Sequence, residues 1–211
     1  MESYEVQEDI LRHLVGKYPE HSSFAAVDVK AKLLNLFYST GIQAITKMSE
    51  NIFAIKDIDG RLQKGDHSLV AEIAELKLDS GTRINYSFAT KYCALHQPAK
   101  FPIYDSIVAA VFARLMADGN LPPYSQKKGG GASTYLCMTK GTFQANLRNY
   151  EFFVRVYDTF MQDFGLQNRA GITYREVDWY LWGAYKLPGS ECLIEKLAPL
   201  SGNKYFEYKK K

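Results

Sequence analysis

Nothing in this 211-residue chain announces a metal, a nucleotide or a membrane. Its three cysteines, Cys93, Cys137 and Cys192, are odd in number and far apart. They supply no disulfide framework and no zinc or iron–sulfur ligand spacing. With no disulfides, a reducing cytoplasm is the expected compartment. The start, Met1-Glu2-Ser3-Tyr4-Glu5, is acidic and does not resemble a signal peptide. No apolar run reaches the ~20 residues that cross a bilayer, so no membrane partner is expected. Neither charge sign dominates: 26 basic residues against 23 acidic give +3 and a pI near 8.6. That balance admits a nucleic-acid partner without demanding one. The triplet Gly129-Gly130-Gly131 lacks the Gly-Lys-Ser/Thr order of a phosphate-binding P-loop. No internal repeat is visible, and neither a cofactor nor a metal is implied.

What is present is apolar and helical. Hydrophobic residues make up 46% of the chain and aromatics 14%, a composition that folds rather than stays disordered. The length suits a single domain over 1–211, or two lobes sharing a core. A first helix over 4–16 should end at Gly16 and Tyr18-Pro19. Ser22 or Ser23 caps a second, in which Val27, Ala31 and Leu34 recur on one helical face. Gly41 interrupts it, and a third helix runs to about Asp57. Asp59-Gly60 and Lys64-Gly65-Asp66 read as turns, and Leu69–Leu78 as a short helix. Pro122 to Gly141 reads as one long loop, and the apolar stripe from Phe143 to Phe164 as a helix over 142–165. A helix bearing Trp179 and Trp182 follows, then a loose basic tail, 204–211.

Two chemical groups stand out against this background. Lys91 lies within the apolar helical run Phe88–Leu95, which must stop before Pro98. Fourteen positions after it, Asp105 precedes a second apolar run, Ile107–Met116, where Asp is a favoured N-cap. An amine removed from water and a carboxylate at a helix start are the parts of a nucleophilic lysine with an acidic helper. On spacing alone, a snorkelling lysine and a simple cap remain the alternative.

The segment Ser87-Phe88-Ala89-Thr90-Lys91 followed by Pro102-Ile103-Tyr104-Asp105 resembles the core of the helix-hairpin-helix DNA glycosylases, particularly the 8-oxoguanine glycosylases. Ser87 and Ala89 stand where that hairpin carries glycines. Leu33–Thr40 with Ile42–Met48 is similar to the helical pair that inserts residues into the duplex gap. Val177-Asp178-Trp179-Tyr180-Leu181-Trp182-Gly183 resembles a closing helix of some archaeal members.

The resemblance implies an all-α fold with two helical lobes around a cleft, 1–20 plus 105–211 and 21–104. It implies a monomeric, bifunctional DNA glycosylase and abasic-site lyase acting on double-stranded DNA with a modified base, an oxidised purine being one case. Lys91 would form the Schiff base and Asp105 would assist it. Tyr38, Ser39, Thr40 and Gly41 would enter the gap, and Ser87, Ala89 and Thr90 would face the backbone. Lys127 and Lys128, beside the triple glycine, would contact phosphates, and Trp179 and Trp182 would wall a base pocket, although core packing fits large aromatics as well. His96, at a helix end, reads as a structural cap rather than a catalyst. The rival readings are a non-catalytic DNA-binding protein on the same scaffold and a helical protein-interaction module.

Overall fold

Ser23 shows how local chemistry sets the helix boundaries. Its backbone is extended, and its Oγ accepts the Ala26 N–H at 3.3 Å, satisfying one of the free donors of the helix that follows. That helix, α2 (Phe24–Phe37), then turns Val27, Ala31 and Leu34 inward until none retains measurable exposure. Each such side chain contributes roughly 1.5–3 kcal/mol on burial.

The computed structural model describes residues 2–117, 121, 125–127, 135–167, 169 and 171–186. The chain is mainly α-helical and divides into two compact units, Met1–Tyr104 and Asp105–Lys211. The first contains α1 (Glu2–Lys17), α2, α3 (Ile45–Ala54), α4 (Ile58–Lys64) and α5 (Ser68–Ala74). An antiparallel hairpin, β1 (Glu75–Leu78) and β2 (Gly81–Ile84), then leads to α6 (Tyr86–His96). Helix α2 packs on α1, α3 and α6, and α1 also packs on α6. Residues 1–20 therefore sit with 21–104, not with 105–211 as the expected lobes had it.

Two expected elements in this unit take other forms. The third helix ends at Ala54, and a separate helix, α4, runs through the Asp59-Gly60 pair expected to turn. Ile58 and Leu62, four apart, are 4% and 2% exposed, so burial of one helical face outweighs the turn preference of Asp-Gly. The helix expected over Leu69–Leu78 stops at Ala74, and its last four residues pair as a strand. Gly81, at φ +118°, closes the hairpin in a conformation that side chains resist. The Leu76–Leu78 alternation carried that period-2 signal.

The second unit contains α7 (Ser106–Ala117), α8 (Lys140–Asn146), α9 (Tyr150–Asp163) and α10 (Tyr174–Lys186). A short hairpin, β3 (Ser125–Lys127) with β4 (Tyr135–Cys137), lies in the stretch expected to be loop throughout. The single helix expected over 142–165 is broken into α8 and α9. Asn149 makes the break, its Oδ1 accepting the Phe152 N–H at 3.0 Å as the cap of α9. The apolar stripe survives it, because Phe143, Leu147, Tyr157 and Phe164 remain buried on both sides of the turn. Phe112 of α7 sits 5.2–6.1 Å, centroid to centroid, from Phe153, Tyr157 and Phe160. Such aromatic contacts add about 0.5–1.5 kcal/mol each beyond area burial. Among the described residues no helix is long and apolar enough to cross a membrane.

Candidate functional site

Helix α6 buries seven consecutive residues, Phe88 to Ala94, so it runs through the first unit with no polar face along that stretch. Lys91 is among them, at 8% exposure. Its Nζ donates to Ser87 Oγ, one turn earlier, at 2.6 Å and lies 5.5 Å from the centre of the Tyr38 ring. The Tyr38 hydroxyl donates in turn to the carboxylate of Glu8, a residue of α1 that is 5% exposed. The amine expected to be reactive is thus held off bulk water, beside an aromatic face and a hydroxyl.

The residues expected to form a hairpin around Lys91 are instead the first turns of α6. Without glycine at 87 or 89, continued helix is the lower-energy path. Ala89 and Thr90 have no measurable exposure and face the interior. Thr90 has a different job: its Oγ1 donates to the Ser87 carbonyl at 3.0 Å and accepts the Tyr104 N–H at 3.1 Å. It ties the Tyr104 backbone to α6.

The residues expected to enter the duplex gap form a turn at the end of α2. Ser39 and Gly41 adopt positive φ, +49° and +72°. Asn35 holds the turn: its Oδ1 accepts Thr40 Oγ1 at 2.6 Å and the Ile42 N–H at 3.0 Å, and its Nδ2 donates to the Ile42 carbonyl at 3.1 Å. Ser39 and Gly41 are exposed, Thr40 and Tyr38 half-buried.

Asp105 opens the second unit as expected. Its Oδ1 accepts the Val108 N–H at 2.8 Å and its carbonyl the Ala109 N–H at 3.0 Å, which makes it the N-cap of α7. In α10, Val177 and Leu181 carry the burial, at 1% and 0% exposure. Trp179 is 36% exposed with the Arg175 guanidinium 5.4 Å from its ring, so it is not core; Trp182 is half-buried. Lys128, residues 129–131, the Lys127 side chain and the tail 204–211 lie outside the described residues.

A second polar cluster, unforeseen in the sequence, lies within the first unit. His21 Nδ1 is 2.6 Å from Asp59 Oδ1, and the His21 N–H donates to Asp59 Oδ2 at 3.0 Å. A carboxylate only accepts, so Nδ1 carries the hydrogen and Nε2 accepts the Tyr92 hydroxyl at 2.9 Å. The His96 ring lies 4.7 Å from that of His21, and its Nε2 is buried with no hydrogen-bond partner among the described residues. His96 was expected to cap the end of α6; its Nε2 makes no such bond, and the ring packs against those of His21 and Tyr92 instead. Lys30, wholly buried, donates to the Tyr18 and Glu20 carbonyls at 3.1 and 3.3 Å, and burial lowers its pKa to about 8. The signal was present, since Lys30 stands on the same helical face as Val27 and Leu34.

Burial lowers the His21 pKa, with nearby Lys30 adding and the bond to Asp59 opposing. Burial, Lys30 and His21 push His96 well below 6.5. Unfolded, both take up a proton near 6.5; folded, they stay neutral to lower pH. The unfolded state then binds more protons below pH 6.5, so stability is intact above that value and declines as pH falls beneath it. Thermal melts between roughly pH 7.5 and 5.5 should show this loss, at up to about 1.4 kcal/mol per pH unit for each histidine. His96→Gln should flatten the slope. A melting temperature independent of pH across that window would contradict a neutral histidine pair.

Comparison with known proteins adds relatedness without a described activity. Residues 1–100 match the N-terminal domain family HI_0787_N, a span that contains all of α1–α6 and Lys91 but stops short of Asp105. The chain is 36% identical over 148 residues to an uncharacterized protein of Haemophilus influenzae, a match covering 70% of this chain and 60% of that protein. The chain therefore spans about 60% of the length of this relative. No solved structure matches.

Proposed function

We propose that this protein is a DNA glycosylase of the helix-hairpin-helix class with associated lyase activity, removing a modified base through an imine on Lys91. The observation that carries the reading is the setting of Lys91: an amine 8% exposed in an apolar helix, anchored at 2.6 Å by Ser87. A solvated surface lysine has no need of such a site. In the reaction the neutral amine attacks C1′ of a nucleotide turned out of the stack, and the C1′–N bond to the base breaks, its electron pair leaving with the base. Opening of the sugar gives the imine. Loss of a C2′ proton then expels the 3′ phosphate, and water hydrolyses the imine to regenerate Lys91. Asp105, fixed by its capping bond to Val108, supplies negative charge for the cationic sugar. An oxidised purine is the leading substrate class, on resemblance to the 8-oxoguanine glycosylases. Double-stranded DNA is the partner.

The experiment is a panel of duplexes, each carrying one modified nucleotide, assayed for released free base. Release from one or more of them, absent with Lys91→Gln, is expected. No release from any duplex, together with tight binding to abasic DNA, would favour a non-catalytic DNA-binding protein on this scaffold.

A third reading draws on the exposed face of α1. Val6, Ile10, Leu14, Tyr18 and Leu33 line a groove that Asp9, His13 and Lys17 also border, and Val6 and Ile10 are 57% and 43% exposed. Contiguous apolar surface of this kind suits a protein partner. Failure to bind any DNA would make that reading the better one.

A further inference from the structure

Glu8 is an unusual residue to bury. A carboxylate withdrawn from water is costly unless charge or hydrogen bonds compensate it. Glu8 is 5% exposed on α1 and receives the hydroxyl of Tyr38, whose ring stands beside the Lys91 amine. Glu8 lies on α1, Tyr38 just past the end of α2 and Lys91 on α6, and both α1 and α2 pack against α6. Anion, phenol and amine stand in sequence, with the positive group beside the ring and the negative group at its hydroxyl. A phenol that donates to a carboxylate gains electron density in its ring, which strengthens the attraction of that ring for a cation. Ser87 Oγ also accepts from the amine, at 2.6 Å. Tyr38, the residue expected to enter the DNA gap, has its hydroxyl bonded to Glu8 within the first unit.

We infer that Glu8 and Tyr38 are positioning residues for Lys91, holding its ammonium in the resting protein and setting the pH at which the free amine appears. This rests on Lys91 being the reactive amine of the proposed function. The Glu8 carboxylate acts through space and through the phenol, and it touches neither substrate nor reacting atoms. Helix α1 thereby becomes part of the site, through a residue that no spacing argument connects to Lys91.

The test needs no DNA. Formaldehyde with cyanoborohydride methylates free amines, and mass spectrometry of the peptide carrying Lys91 gives the extent at each pH. Lys77, whose side chain is 82% exposed, serves as the internal reference. Glu8→Gln keeps an acceptor oxygen for Tyr38 and removes the charge. In that variant Lys91 labelling near neutral pH should rise on the order of fivefold relative to Lys77, with its pH profile moved to lower pH, as loss of a nearby buried charge requires. Tyr38→Phe keeps the ring and cuts the link; it should move the profile the same way, and it stands as the test where Glu8→Gln does not fold. Superposable Lys91 profiles in wild type and variant, or a move to higher pH, would overturn the inference. A protein that never reacts with DNA yet shows the shift supports the pairing and sinks the glycosylase reading. One that reacts with DNA at an unmoved pH profile in Glu8→Gln overturns the pairing alone.

Discussion

Replacing Lys91 by glutamine should abolish strand cleavage on abasic and base-modified duplexes, by at least about three orders of magnitude, while leaving the protein folded. The reason is chemical. Glutamine approximates the length and polarity of the buried side chain and can still reach Ser87 Oγ, but its amide nitrogen is no nucleophile. The cost to packing is limited, because the residue keeps a hydrogen-bond donor in a position only 8% exposed. Affinity for abasic DNA should fall far less than cleavage, since phosphate contacts dominate binding. Cleavage by the variant at more than a small fraction of the wild-type rate would remove Lys91 from the chemistry.

Asp105→Asn should separate two roles of one side chain. Asparagine caps nearly as well as aspartate, so the bond to the Val108 N–H survives and the melting temperature should barely move. The charge is lost, and base excision should drop by roughly two to three orders of magnitude if the carboxylate stabilises the departing transition state. Asp105→Ala is the control for structure: it forfeits the cap and should cost about 1 kcal/mol of stability. An Asn variant with full activity would reduce Asp105 to its capping role.

The sequence was most legible where one local rule acted alone. Ser23 as a cap, the inward face of α2, the break at Gly41 and Asp105 at the start of α7 each followed from a single side chain or period. It was least legible where two rules competed. Asp59-Gly60 carries a turn signal, yet Ile58 and Leu62 bury as a helical pair around it. The stripe from Phe143 to Phe164 is continuous in period, yet Asn149 caps a new helix inside it. The burial of Lys91 and the capping bond of Asp105 were legible from their apolar and capping contexts. Glu8 and Tyr38 could not be linked to Lys91, because their proximity depends on three helices packing together. The cluster of His21, Asp59 and Tyr92 was hidden for the same reason, its members lying 38 and 71 positions apart.

Borohydride trapping tests the central claim most directly. The protein is mixed with a duplex carrying an abasic site or a modified base, reduced, digested, and the crosslinked peptide sequenced by mass spectrometry. A covalent protein–DNA product attached at Lys91, absent when Lys91→Gln is used, is the predicted result. A wild-type protein that yields no crosslink with any duplex, or a crosslink mapped to another residue, would contradict it.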